Sequence, residues 1–140
     1  MIRDVDIAPL DAERLVAVHA SPVDALALLA PFDALRLGPE EWLCLDTTAR
    51  MVASALGADA LVLDVGDAYE GWRISGAGTP ELLARICTLD VATLRPGFAS
   101  RTAMAGLPVV LRILDGDCEL RIERSYGAWF EAWLRRCRDG

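Results

Sequence analysis

The chain has 140 residues, 54% of them apolar, and a formal net charge of −7 from 14 basic and 21 acidic side chains. This length implies one domain able to bury roughly 68–70% of its unfolded surface, and the acidic balance disfavours a nucleic-acid backbone as partner. There is no Lys, Asn or Gln and a single His19, which excludes Schiff-base lysines, a P-loop lysine, amide oxyanion donors, histidine triads and multi-histidine metal sites.

Residues 1–11 contain Asp4, Asp6 and Asp11 with little pattern and are expected to form a loose arm ahead of a single domain over residues 12–140. They lack a basic stretch followed by an apolar one, so no signal peptide is expected. The longest uncharged run, between Arg101 and Arg112, is ten residues, too short to span a bilayer. A cytoplasmic protein is the expectation.

Residues 12–19 read as a first strand. Ser21-Pro22-Val23-Asp24 reads as a helix start, with Ser21 as cap, Pro22 at the first helical position and Asp24 at the positive end of the dipole. Residues 34–37 and 41–45 read as short strands separated by Gly38-Pro39. Asp46 or Thr47 is expected to cap a helix from about residue 48 to Leu56, closed by Gly57. Residues 61–65 and 71–75 read as strands, the second with Trp72 and Ile74 on one face. Thr79-Pro80 opens a helix whose apolar stripe is Leu82, Leu83, Ile86 and Cys87.

Residues 108–114 form an apolar strand, and Asp115-Gly116 signals a hairpin. Cys118, Leu120 and Ile122 then alternate with Glu119, Arg121 and Glu123, as in a half-buried strand. Ser125 is expected to cap a final helix. In it Tyr126, Trp129, Phe130, Trp133, Leu134 and Cys137 recur at helical spacing. The order β-α-β-β-α-β-β-α-β-β-β-α predicts an α+β fold, an antiparallel or mixed sheet with helices packed on one side.

Catalytic motifs are sparse. Ser75-Gly76-Ala77-Gly78-Thr79-Pro80-Glu81 superficially has the look of a dinucleotide loop, but Glu81 stands where the third glycine belongs and would repel a pyrophosphate. A glycine turn feeding a Pro-initiated helix is the simpler reading. Glu40-Glu41 and the Asp115/Asp117 pair are read as solvated turn residues, and His19 as a surface residue. Cys44, Cys87, Cys118 and Cys137 form no C-x-x-C pair and sit among apolar residues, as reduced buried thiols do. No catalytic or metal-binding residue is expected.

Arg73, Arg101 and Arg124 suit either internal salt bridges or a carboxylate on a ligand or partner. Trp42, Trp72, Trp129 and Trp133 are most simply core, although Arg, Trp and Tyr also dominate protein–protein hot spots. The candidate partner or anion contacts are therefore Trp42, Trp72, Arg73, Arg101, Thr102, Arg124, Ser125, Tyr126 and Trp129.

Four stretches in order resemble a known family. They are Leu37-Gly38-Pro39-Glu40-Glu41-Trp42-Leu43; Trp72-Arg73-Ile74-Ser75-Gly76 with Glu81-Leu82-Leu83-Ala84 and Thr88-Leu89-Asp90-Val91; Pro96-Gly97-Phe98 through Arg101-Thr102 and Ala105-Gly106; and Glu123-Arg124-Ser125-Tyr126 with Trp129 and Trp133-Leu134. Together they resemble the gamma subunits of heterotetrameric sarcosine oxidases and the small subunits of related N-methyl amino acid dehydrogenases, over about residues 35–135. The chain departs from that pattern in a shorter N-terminal portion and in Arg101, where Gln or another residue is expected.

The resemblance implies a fold like the folate-binding domain of aminomethyltransferases. It implies a structural, non-catalytic role beside large alpha and beta subunits and a small delta subunit. In such a complex FAD, FMN and NAD are held by other subunits and zinc by delta. Sarcosine is oxidised to glycine with hydrogen peroxide as product, the methyl group leaving as formaldehyde or passing to tetrahydrofolate. This chain itself would bind no cofactor. A stand-alone module for folate or another anion, held by Arg73, Arg101 and Arg124, is the alternative.

Overall fold

The computed structural model describes residues 1–11 and 13–140. The chain separates into two compact units, Ala12–Ala68 and a second built from Met1–Asp11 with Tyr69–Gly140. One domain was the expectation from length. The division arises because the first half already completes a β-α-β-β-α-β unit with its own core.

In that first unit the strands are β2 (Leu15–His19), β3 (Asp33–Gly38), β4 (Glu41–Leu45) and β5 (Leu61–Asp64). Its helices are α1 (Pro22–Leu28) and α2 (Ala49–Leu56). The spatial order β3-β4-β2-β5 is antiparallel throughout, which is the split β-α-β arrangement. Val16, Val18, Trp42, Cys44, Ala25, Leu29 and Val52 make its core. Alternation along β2 and β4 puts Val16, Val18, Trp42 and Cys44 on one face of the sheet, against Ala25, Leu29 and Val52 of the helical segments.

The helix ends differ from the sequence reading. Ser21 makes no side-chain cap; Pro22 with its fixed φ starts α1 without one. Neither Asp46 nor Thr47 caps α2. Asp46 turns the chain at φ 54°, Thr47 is buried, and Thr48 is the cap, its hydroxyl accepting from the Met51 N–H at 3.3 Å. The Asp64 carboxylate accepts from the Ala49 N–H at 2.9 Å, a second acceptor for the free donors of that helix end.

The second unit corrects the reading of residues 1–11 as a loose arm. Asp6–Pro9 is strand β1, paired antiparallel with β6 (Tyr69–Ser75). Ile2 is buried, and its N–H donates to the Arg138 carbonyl at 2.7 Å. The signal is weak because a four-residue edge strand, Asp6-Ile7-Ala8-Pro9, carries almost no hydrophobic period. The sheet order is β1-β6-β9-β8-β7, with β7 (Ala99–Met104), β8 (Leu107–Ile113) and β9 (Cys118–Glu123).

Helices α3 (Thr79–Ile86) and α4 (Gly127–Asp139) complete the second unit. Its core joins Ile7, Trp72, Ile74, Leu120 and Ile122 from the sheet to Leu82, Leu83 and Ile86 of α3 and Phe130 and Leu134 of α4. Apart from β1, the elements follow the order read from sequence. The α+β class holds, with two antiparallel sheets in place of one.

Candidate partner-binding surface

The nine candidate contacts fall into three groups. Trp42 and Trp72 are core residues, 2% and 3% exposed, and are withdrawn as contacts. Trp42 lies on the helix-covered face of β4, with the Arg36 guanidinium 5.6 Å from its ring centroid, inside cation–π range. Trp72 packs on Phe130, ring centroids 5.5 Å apart.

The arginines do not converge on one anion. Arg73 lies on β6 and Arg101 on β7, with β9 and β8 between them. Three strand spacings separate them by roughly 14 Å, beyond the reach of a shared carboxylate. Arg73 already donates to Asp117 through Nε at 3.1 Å and Nη2 at 2.7 Å. That hydrogen bond to Asp117 raises its already high pKa further, against partial desolvation. Arg101 is exposed on the edge strand opposite Val110, and Thr102 is half-buried opposite Val109.

Arg124, Ser125, Tyr126 and Trp129 do come together, at the entry to α4. A short 3-10 turn, Arg124–Tyr126, links β9 to that helix. Ser125 is exposed and does not cap α4, because the turn places Tyr126 at the cap position with no side-chain bond. Arg124 donates to the Tyr69 carbonyl at 3.1 Å and lies 3.6 Å from a Glu70 carboxylate oxygen. Glu70 also reaches Gly127: a Cβ there would fall on its carboxylate. Glycine at the first position of α4 therefore lets Glu70 and Arg124 brace the turn.

Beyond this turn the aromatic rings run outward from the core. Trp72 meets Phe130, Phe130 meets Trp133 at 5.5 Å, and Trp133 stacks on Trp129 at 6.5 Å with planes 7° apart. Phe130 is fully buried, whereas Trp129 is 50% and Tyr126 42% exposed. Tyr126 and Trp129 thus lie off the core face that their spacing predicted. Helical geometry turns Phe130 and Leu134 inward and leaves Trp129 on the rim of the stripe. An exposed tryptophan stacked on the half-buried Trp133, which in turn meets the buried Phe130, is a pre-ordered contact, of the residue type that anchors interfaces.

Burial pushes the Cys44 thiol up to about 11, assisted by Asp33, and the Cys118 thiol up to about 12, with Cys87, Asp117 and Glu119 adding to it. Desolvation also raises Cys137. An activated thiol needs the opposite shift. His19 is exposed, its Nε2 3.8 Å from Glu40. Among the described residues no cluster of three His, Cys, Asp or Glu is placed to hold a metal ion, and no helix is long and apolar enough to cross a membrane.

No family model and no curated protein matches the sequence. Solved structures do. A chain of the heterotetrameric sarcosine oxidase from Corynebacterium sp. U-96, in complex with pyrrole 2-carboxylate, superposes with a TM-score of 0.86 at 20% identity, covering 99% of this chain and 85% of that one. Glycine cleavage system aminomethyltransferase T from Bartonella henselae follows with 0.69 at 9% identity over 94% of this chain, which spans 45% of that protein. A putative C-terminal regulatory domain of aspartate kinase from Porphyromonas gingivalis W83 gives 0.53 at 9% identity, covering 97% and 98% of the two chains. At these identities the likeness is one of fold. It agrees with the α+β fold expected from the resemblance to a sarcosine oxidase subunit and to an aminomethyltransferase domain.

Proposed function

We propose that the chain is a structural, non-catalytic gamma-type subunit of a heterotetrameric sarcosine oxidase, in a cytoplasmic setting. Its partners in this reading are large alpha and beta subunits and a small delta subunit. FAD, FMN, NAD and tetrahydrofolate belong to those partners and none to this chain. The complex would oxidise sarcosine to glycine, the methyl group leaving as formaldehyde or passing to tetrahydrofolate. A related N-methyl amino acid dehydrogenase assembles by the same logic.

The observation that carries the proposal is the superposition on a chain of a heterotetrameric sarcosine oxidase over 99% of the length, beside the sequence motifs that resemble the family. The half-exposed Tyr126 and Trp129 at the entry to α4 support a role in binding a partner. A stable interface of this kind buries ~1,200–2,000 Å² or more.

Co-expression with alpha, beta and delta subunits, followed by gel filtration, tests the proposal. The expected result is one peak containing this chain at stoichiometric amount. Elution of the chain apart from the flavoprotein at micromolar concentration contradicts it.

A further inference from the structure

The two sheets end in the edge strands β1, β7, β3 and β5. The first three carry features that resist pairing. β1 begins with the exposed Asp6 and ends in Pro9, β7 carries the exposed Arg101, and β3 is bulged between Arg36 and Gly38. Charges, prolines and bulges keep an edge from adding a further strand. β5 runs Leu61-Val62-Leu63 before its one charged residue, Asp64, and its pairing with β2 is regular.

The backbone of β5 faces outward in a defined pattern. The Val65 N–H donates to the Leu15 carbonyl at 2.8 Å, just beyond the β2–β5 ladder. Alternation then turns the N–H and C=O of Val62 and Asp64 away from β2. No main-chain hydrogen bond among the described residues takes up these outward groups. Val62 packs against the core of the first unit, whereas Leu61 and Leu63, on the other face, are 60% and 51% exposed. A row of free main-chain donors and acceptors with alternate apolar side chains recognises an extended chain.

Charge selects which chain. Asp59, Asp64 and Asp67 are exposed around the strand, and residues 51–68 hold no basic side chain. A second copy of β5 would bring carboxylates to carboxylates, which disfavours self-pairing. A strand with Arg or Lys on the Asp64 face would meet opposite charge.

We infer that the free edge of β5 is a docking site for an extended segment of another protein, apolar at alternate positions and basic between them. Its basic residues lie opposite Val62 and Asp64 and make the main-chain bonds, and its apolar residues cover Leu61 and Leu63. The inference goes beyond the subunit proposal and does not rest on it.

Titration of the full isotope-labelled chain with the acetylated, amidated heptapeptide Thr-Val-Arg-Val-Arg-Val-Thr, followed by amide NMR, tests it. The expected result is saturable shifts at Val62 and Asp64, with slowed amide exchange at both. N-methylation of the two arginine amides should abolish binding. N-methylation of the central valine, whose N–H faces away from the edge, should leave it intact. Glutamate in place of both arginines should weaken binding roughly tenfold or more. Leu63→Lys should weaken it roughly fivefold and keep the thermal midpoint, since Leu63 is half exposed. Absence of saturable shifts overturns the inference, as does unchanged affinity with the arginine-methylated peptide, the glutamate peptide or Leu63→Lys. Dimerisation of the chain alone with protection of the Val62 and Asp64 amides also overturns it, since a second copy then holds the edge.

Discussion

The Asp4 carboxylate accepts a hydrogen bond from the Ala77 backbone N–H at 3.2 Å, while the Asp4 carbonyl accepts from Gly78 N–H at 2.9 Å. The glycine loop with the look of a nucleotide cradle is thus occupied by the chain's own N-terminal segment. Gly76 stands at φ +103°, and a Cβ on it would fall on the Asp4 carbonyl.

Gly76→Ala should therefore destabilise the chain by about 1–3 kcal/mol, from backbone strain and the forced shift of Asp4. Asp4→Ala should cost about 1 kcal/mol. Urea unfolding monitored by circular dichroism measures both. Neither variant should gain nucleotide affinity.

The β7–β8 turn runs in the other direction. Met104 pairs with Leu107 across a two-residue loop in which Ala105 has φ 53° and Gly106 φ 79°. Two positive φ values define the hairpin turn that favours Asn-Gly, and Ala105 bears the left-handed penalty of a Cβ. Ala105→Asn should stabilise by about 0.5–1 kcal/mol, seen as a higher urea midpoint with unchanged slope.

Two neighbours on α4 should separate stability from assembly. Phe130 is fully buried between Trp72 and Trp133, and Phe130→Ala should cost about 3–5 kcal/mol. Trp129→Ala, on the exposed end of the same aromatic run, should cost under about 1 kcal/mol in the isolated chain. In the assembled complex it should cost about 2 kcal/mol or more of binding if Trp129 is an anchor. Denaturation and pull-down on the same variants report the two effects.

The buried thiols set an alkaline limit. Their folded pKa values, about 11 for Cys44 and about 12 for Cys118, lie above the ordinary 9.0. The folded state then holds protons that the unfolded state releases, so stability is full below pH 9 and falls as pH rises from there. Each thiol contributes a loss of about 1.4 kcal/mol per pH unit where only the unfolded form is ionised. Urea midpoints at pH 7, 9, 10 and 11 should fall beyond 9, and Cys118 should stay unreactive to thiol reagents in the folded chain at pH 8.

Most elements are legible because their signals are local. The alternation of Cys118, Leu120 and Ile122 and the Asp115-Gly116 turn mark a hairpin within a few residues, and Thr79-Pro80 marks a helix start. β1 is not legible, because Asp6–Pro9 becomes a strand only through pairing with β6, some 65 residues away. The expected cap of α2 moves from Asp46 or Thr47 to Thr48, and Ser21 and Ser125 make no cap bond, for a related reason: local turn geometry decides whether a nearby polar side chain meets the free N–H groups. For the site, residue type pointed to Arg and Trp, but only packing separates the buried Trp42 and Trp72 from the exposed Trp129.

Sedimentation velocity of the chain mixed with flavin-loaded alpha, beta and delta subunits, read at both protein and flavin absorbance, bears most directly on the subunit role. The account predicts that the chain alone is colourless and without sarcosine turnover, and that on mixing it migrates entirely with the flavin boundary. A flavin retained by the chain alone, turnover by it, or a protein boundary that stays separate from the flavin would contradict the account.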